Sequence, residues 1–191
     1  FYLSFTNYDG GSRPGKWIGL ANYQQMLHDP VLAKSLLVTL EYVVINIVVQ
    51  TILALMIALL MQRVVTSTLS RGTLLTPYFI APVIAALVWF WMLDPNLGIV
   101  NVFLERLGIG SISFFGSSQW VIPTIALVNV WKYMGYTALL IFAGLQTIPA
   151  SVYEAASLDG AGEVKQFFKI TLPLLRPVIV LVLITSVTGS F

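Results

Sequence analysis

Two sets of polar residues lie at helical spacing inside strongly apolar sequence. Asn46 and Gln50 stand four apart within SLLVTLEYVVINIVVQTILALMIALLM (35–61), so they share a helix face. Asn129, Lys132 and Tyr136 fall at i, i+3 and i+7 within WVIPTIALVNVWKYMGYTALLIFAGL (120–145), again on one face. Amides, an ammonium and a phenol could hydrogen-bond a hydroxylated solute passing between helices. The amides could equally tie neighbouring helices together. For Lys132 the expectation is a cavity or a paired role, because an unpaired charge at that depth is costly.

Residues for bond-making chemistry are scarce. GGSRPGK (10–16) has the G-x-x-x-x-G-K outline of a phosphate-binding loop. Trp17 stands where Ser or Thr should hold magnesium, Pro14 removes a backbone donor, and no buried strand leads in. A turn-rich external loop is the better reading. His28 is the sole histidine and has no ligand-type neighbours, so a loop role is expected. No Ser/His/Asp set and no paired carboxylates are visible. With no Cys, thiolate metal sites and disulfides are excluded. The expectation is therefore no catalysis, no metal and no cofactor held by this chain.

The most charged stretch is EAASLDGAGEVKQFFKITLPLLRP (154–177). Ser151 and Glu154 have the S-x-x-E spacing of a capping box, which predicts a helix from Val152. Val152, Ala155, Ala156 and Asp159 then share a face, and Gly160 suits the left-handed residue that ends a helix. Gly162 precedes a second short helix, Glu163–Ile170. Leu172 and Pro173 lead back into apolar sequence, where Pro177 fits an early helical turn. A helix of about two turns is too short to span a bilayer and unstable alone in water. It needs support, either from the chain's own helices or from a soluble partner. Ala155, Ala156 and Ala161 allow close approach, and Glu154 or Asp159 could pair with a basic residue.

The surrounding elements read as membrane helices. The 191 residues are 58% hydrophobic and 9% charged, too few charges to coat a water-facing surface. A net charge of +2 gives no argument for nucleic acid. Spans are expected at about 35–61, 73–93, 120–145 and 172–191, each near the ~20 residues that a bilayer requires. Pro77, Pro82 and Pro123 fall inside them and predict kinks. The connection 62–72 carries Arg63 and Arg71, and 146–176 carries Lys165, Lys169 and Arg176. The positive-inside rule makes both cytoplasmic, with 94–119 and 6–34 external. Trp17, Trp89, Trp91 and Trp120 fall near the expected interfaces. FYLSF (1–5) reads as the tail of a span, and the last run ends while still apolar, so a fragment of a larger protein is expected. The whole reads as one transmembrane domain, in which 147–170 lies outside the spans.

The charged stretch resembles the EAA motif of permease subunits in binding-protein-dependent ABC importers. The family's EAA is Glu154, Ala155 and Ala156 here; its DGA turn is Asp159, Gly160 and Ala161. Phe167, Phe168, Ile170, Leu172, Pro173 and Pro177 continue the pattern. IGLANY (18–23), PYFIAPVIAALVWFWMLDPNLGIVN (77–101) and AGLQTIPASVYEAA (143–156) are similar to other family elements. The likeness is greatest to carbohydrate permeases of the maltose and glycerol-3-phosphate type, and to the first of their two permeases. It implies an all-α polytopic bundle of the type I importer kind in a bacterial or archaeal inner membrane. It further implies a second permease, an ATPase dimer that binds ATP and magnesium, and an extracytoplasmic solute-binding protein. The segment from Glu154 to Gly162 would be the coupling helix and turn that dock on the ATPase. Asn46, Gln50, Asn129, Lys132 and Tyr136 are the candidate solute path. An ion-coupled carrier using Lys132 and Glu41 is the alternative, and a membrane enzyme ranks last.

Overall fold

The computed structural model describes residues 1–11, 15–63 and 68–190. It divides into two compact units, Phe1–Glu41 and Tyr42–Phe191.

The first unit opens with a single 3-10 turn, Tyr2–Phe5. Thr6 bridges to Trp17, and Asn7 exchanges hydrogen bonds with the backbone of Lys16. Helix α1 (Ala21–Leu27) follows. The IGLANY element has a local physical basis. Gly19 takes φ +61, which glycine adopts without penalty. Asn22 Nδ2 donates to the carbonyls of Ser4 and Thr6, and Tyr23 packs its ring on Phe5. Of the phosphate-loop outline, residues 12–14 lie outside the described residues. His28 ends α1 with its ring Nδ1 2.8 Å from the Gln24 carbonyl. Asp29 accepts from the Val31 amide just ahead of α2 (Pro30–Arg63), with proline at the first helical position.

In the second unit, α2 buries Asn46, Gln50, Ala54, Ala58 and Met61, a ridge stepping by four and then three. Helix α3 (Thr68–Phe79) is followed by α4 (Pro82–Met92). Arg71 already belongs to α3, so the connection expected over 62–72 is shorter than that; residues 64–67 lie outside the described residues. The expected kinked span over 73–93 is a sharper break: α3 and α4 meet at 95°. Pro77 stays inside α3, whereas Pro82 starts α4 after Ala81 turns to φ −56 and ψ 135. Pro82 has no N–H for the Tyr78 carbonyl, so the ladder stops there.

The loop after α4 is organised by two polar residues. Asp94 Oδ1 accepts from the amides of Asn96 and Leu97. Those bonds, Leu97 first, hold its carboxyl below the usual carboxylate range. Asn101, in α5 (Ile99–Arg106), is buried. Its Nδ2 lies near the carbonyls of Leu93, Asp94 and Ile112, and its Oδ1 accepts from the Ile112 amide.

Helix α6 (Val121–Gln146) packs on α3, α4 and α10. Pro123 lies in its first turn, where no backbone donor is required, and α6 runs on from it without a break to Gln146. Gly135 lets α3 and α6 approach closely: an added Cβ would lie 1.9 Å from the Leu74 carbonyl oxygen. The chain continues through α7 (Ala150–Leu158), α8 (Glu163–Gln166), a π turn (Phe167–Thr171), α9 (Leu172–Leu174) and α10 (Arg176–Ser190). The short helix expected over Glu163–Ile170 is thus longer, continuing to Leu174 before a 64° bend. Pro173 and Pro177 cannot donate to the preceding turns, which accounts for the π turn and for the bend. The core joins Ala54, Ala58 and Met61 of α2, Ala138, Ile141 and Leu145 of α6, and Leu175 and Val182.

Pro30–Gln62 and Val121–Gln146 are long and apolar enough to cross a membrane. Each bent pair reaches that length if it is counted as one broken span. Helix α4 is apolar around its circumference, with Val83, Ile84, Leu87, Val88, Phe90 and Trp91 exposed, a surface suited to lipid or to another apolar chain.

Candidate functional site

The polar residues of the apolar helices converge on one cavity of about 210 Å³. From α2 come Asn46 and Gln50, from α6 Asn129, Tyr133, Tyr136 and Thr137, from α3 Tyr78, and from α10 Thr185, Ser186 and Ser190. The amides also link helices. Gln50 Nε2 donates to Thr137 Oγ1 at 2.8 Å, and Asn46 Nδ2 to Ser190 Oγ at 3.4 Å. Asn46 Oδ1 is buried and has no protein hydrogen-bond partner. Bridging helices and lining a cavity are therefore combined in the same residues. The aromatic wall is ordered: Tyr78 stacks on Tyr136 with centroids 4.8 Å apart and planes at 11°, and meets Tyr133 edge-on. Amides, hydroxyls and ring faces can together hydrogen-bond and stack on a hydroxylated ring.

Of the five path candidates, Asn46, Gln50, Asn129 and Tyr136 line this cavity. Lys132 does not. It is buried, and its ammonium donates to the carbonyls of Pro77, Tyr78 and Ile80 at the end of α3. It is a paired group: its hydrogen-bond partners are backbone carbonyls, and its ammonium lies 5.4 Å from the centroid of the Tyr133 ring. The sequence pattern missed Tyr78, Tyr133, Thr137, Thr185, Ser186 and Ser190. Thr137 sits four after Tyr133, and Ser190 four after Ser186, the same spacing that marked Asn46 and Gln50. Tyr78 lies between two prolines and carries no periodic signal.

The second candidate feature is α7. The expected capping box does not form. The helix starts at Ala150 with Pro149 before it and no side-chain cap, so Ser151 and Glu154 are inside the helix. Pro149, at φ −62 and ψ 139, already provides the extended geometry of a cap residue, which moves the start upstream. The other end is as expected. Gly160 has φ +71, its amide donates to the Ser157 carbonyl, and the Ala161 amide donates to Ala156, the double bond of a Schellman cap. Tyr153 Oη lies 3.0 Å from Thr171 Oγ1. Gln166 Nε2 reaches both Ser157 Oγ and the Ala161 carbonyl. These contacts hold α7 from one side. Glu154, Ala155, Leu158, Asp159, Gly160 and Gly162 are exposed, while Ala156 and Ala161 are half-buried. Leu158 is 90% exposed, the apolar tip of a helix with no buried residue. It was legible as the one large apolar side chain between the alanines and the DGA turn.

Among the described residues no cluster of His, Asp and Glu could hold a metal ion. Residues 50–191 match the family described as binding-protein-dependent transport system inner membrane component. A sulfoquinovosyl glycerol transport system permease protein of Agrobacterium fabrum is 39% identical over 96% of this chain and 59% of its own length. An sn-glycerol-3-phosphate transport system permease protein of Yersinia pestis is 34% identical over 100% of this chain and 64% of its own. The crystal structure of a bacterial ABC transporter involved in the import of the acidic polysaccharide alginate superposes with a TM-score of 0.81 at 24% identity. That likeness covers 94% of this chain and 63% of the other, and it bears on the fold alone. The chain thus spans roughly three-fifths of the length of these relatives. With most of its residues matched, it belongs to the family of inner membrane components of binding-protein-dependent transport systems.

Proposed function

We propose that this chain is one of two permease subunits of an ATP-driven importer for sugars or related polar solutes in a bacterial or archaeal inner membrane. One observation carries the reading. Helix α7, held from one side and exposed on the other, lies in the chain between α6 and α10, and both of those wall the polar cavity. A push on α7 therefore has a short covalent route to the cavity through packed helices. The push comes from an ATPase dimer that binds ATP and magnesium and receives Ala155, Leu158 and the 159–162 turn in a groove. Glu154 and Asp159 offer carboxylates to basic residues at its edge. An extracytoplasmic binding protein delivers solute from the other side, and a second permease completes the path. In this orientation the 62–72 and 146–176 segments face the cytoplasm.

The cavity's amides, hydroxyls and stacked tyrosines suit a neutral hydroxylated solute. Lys132 is not among the residues lining the cavity, and its ammonium donates to α3 carbonyls, so among the described residues no basic side chain lines the cavity to pair with a phosphate. That engagement also counts against an ion-coupled carrier, which would be left with Glu41 of its two expected groups.

The solute is found by a thermal-shift screen of the cognate binding protein against sugars, polyols and their phosphates. Uptake into proteoliposomes loaded with ATP then tests coupling. Ala155→Glu puts a charge on the docking face, and Gly160→Pro forces φ to about −65 where the turn needs a positive value. Both variants should insert yet lose ATP-driven uptake; full uptake in both contradicts the proposal.

A further inference from the structure

Lys132 is the one buried charged side chain among the described residues, with 7% of its surface exposed. Its ammonium has three N–H groups and meets three carbonyls: Pro77 at 3.4 Å, Tyr78 at 3.1 Å, and Ile80. The Pro77 carbonyl also accepts from the Ile80 amide at 3.3 Å, whereas the Tyr78 carbonyl has lost its helical donor. Pro82 has no N–H to offer Tyr78, and the extended ψ of Ala81 carries the chain out of the ladder. A cation there also faces the negative end of the α3 dipole. One turn further along α6, Gly135 brings the helix backbones together at Leu74. Lys132 and Gly135 thus form a two-point clasp between α6 and the last turns of α3.

The clasp bears on the cavity. Tyr78 supplies a carbonyl to Lys132 and at the same time a ring to the cavity wall, stacked on Tyr136 one turn beyond Lys132. We propose that Lys132 is a positioning residue: through the backbone of α3 it fixes the Tyr78 ring against Tyr136, and it acts on solute without facing it. This rests on the reading of the cavity as the solute site, which the experiment examines separately.

The chain has no cysteine, so labels go only where they are placed. In the assembled complex, with the other subunits cysteine-free, spin labels are attached at Phe79→Cys on α3 and Leu127→Cys on α6, both exposed. Dipolar spectroscopy then reports how firmly α3 is held. Lys132→Met should broaden or shift the distance distribution. Lys132→Arg, which keeps a cation with several donors, should restore it. Where Lys132→Met does not assemble, Lys132→Gln takes its place, with two donors and no charge. An unchanged distribution in the neutral variant overturns the clasp.

A second arm asks whether the charge of Lys132 faces the cavity. Ser186→Cys lines it, and its reaction rates with an anionic and a cationic methanethiosulfonate are compared. A cation in the cavity would steer the anionic reagent, so removing it would lower the anionic-to-cationic rate ratio by about tenfold or more. The clasp predicts that the neutral variant leaves that ratio unchanged, and a tenfold fall overturns it. If Ser186→Cys reacts with neither reagent in the unsubstituted background, the cavity reading fails. The spin-label arm then still judges the clasp.

Discussion

Asn101 shows how much order one amide can impose. It is buried, it accepts from the Ile112 amide, and it reaches three carbonyls across the loop after α4. Asn101→Ala would leave the Ile112 N–H and at least one carbonyl without a partner. The expected cost is about 1–3 kcal/mol for each group left buried. It is read as a lower midpoint in thermal unfolding of the purified complex, and an unchanged midpoint contradicts it. Nothing in the sequence marked Asn101, because its partners are backbone groups up to 11 residues away. Asn46, Gln50, Asn129 and Tyr136 were legible because polar side chains in apolar helices must find partners or a cavity, and period 3.6 says which of them share a face. Lys132 was legible as a group needing either a cavity or a partner, but spacing did not say which, and its partners were not legible. They are carbonyls at the end of α3, one of them, Tyr78, deprived of its donor by Pro82, and spacing along one helix carries no information about another.

At the scale of elements, apolar length located the helices well and proline position located their breaks less well. Pro77, Pro82 and Pro123 look alike in sequence, yet one sits inside a helix, one starts a helix and one lies in a first turn. The difference lies in which carbonyl loses its donor and whether something else satisfies it. At Pro82 the substitute is Lys132; at Pro123 none is needed. Gly160 could be read directly, because a positive φ after a short helix favours glycine. The capping box could not, since Pro149 supplied a competing start two residues upstream. Gly135 makes an element-scale prediction. Gly135→Ala places a methyl group within 1.9 Å of the Leu74 oxygen, so α3 and α6 must separate. Close helix approach through a small residue is a main source of stability in membrane bundles. Expected outcomes are faster proteolysis near the α3–α4 break and a loss of complex recovered after solubilisation. Yield and protease pattern equal to those of the unsubstituted protein would contradict the close approach.

For the whole molecule, membership in the inner membrane component family and the fold agree with what the EAA stretch implied, and the helices converge on a cavity whose polar lining is unusual for so apolar a chain. The central claim is that α7 transmits the state of an ATPase to that cavity, and Leu158 offers the most direct test. It projects from the exposed side of α7, and the chain has no other thiol once Leu158→Cys is made. In the assembled complex in membrane vesicles, a short bifunctional thiol–amine reagent should join this residue to the ATPase subunit. The yield should change when a non-hydrolysable ATP analogue closes the ATPase dimer. The same cysteine should be shielded from a membrane-impermeant maleimide applied to the cytoplasmic face. The account is contradicted if Leu158→Cys gives no adduct with the ATPase in either nucleotide state, or if it is labelled from the external face of the membrane.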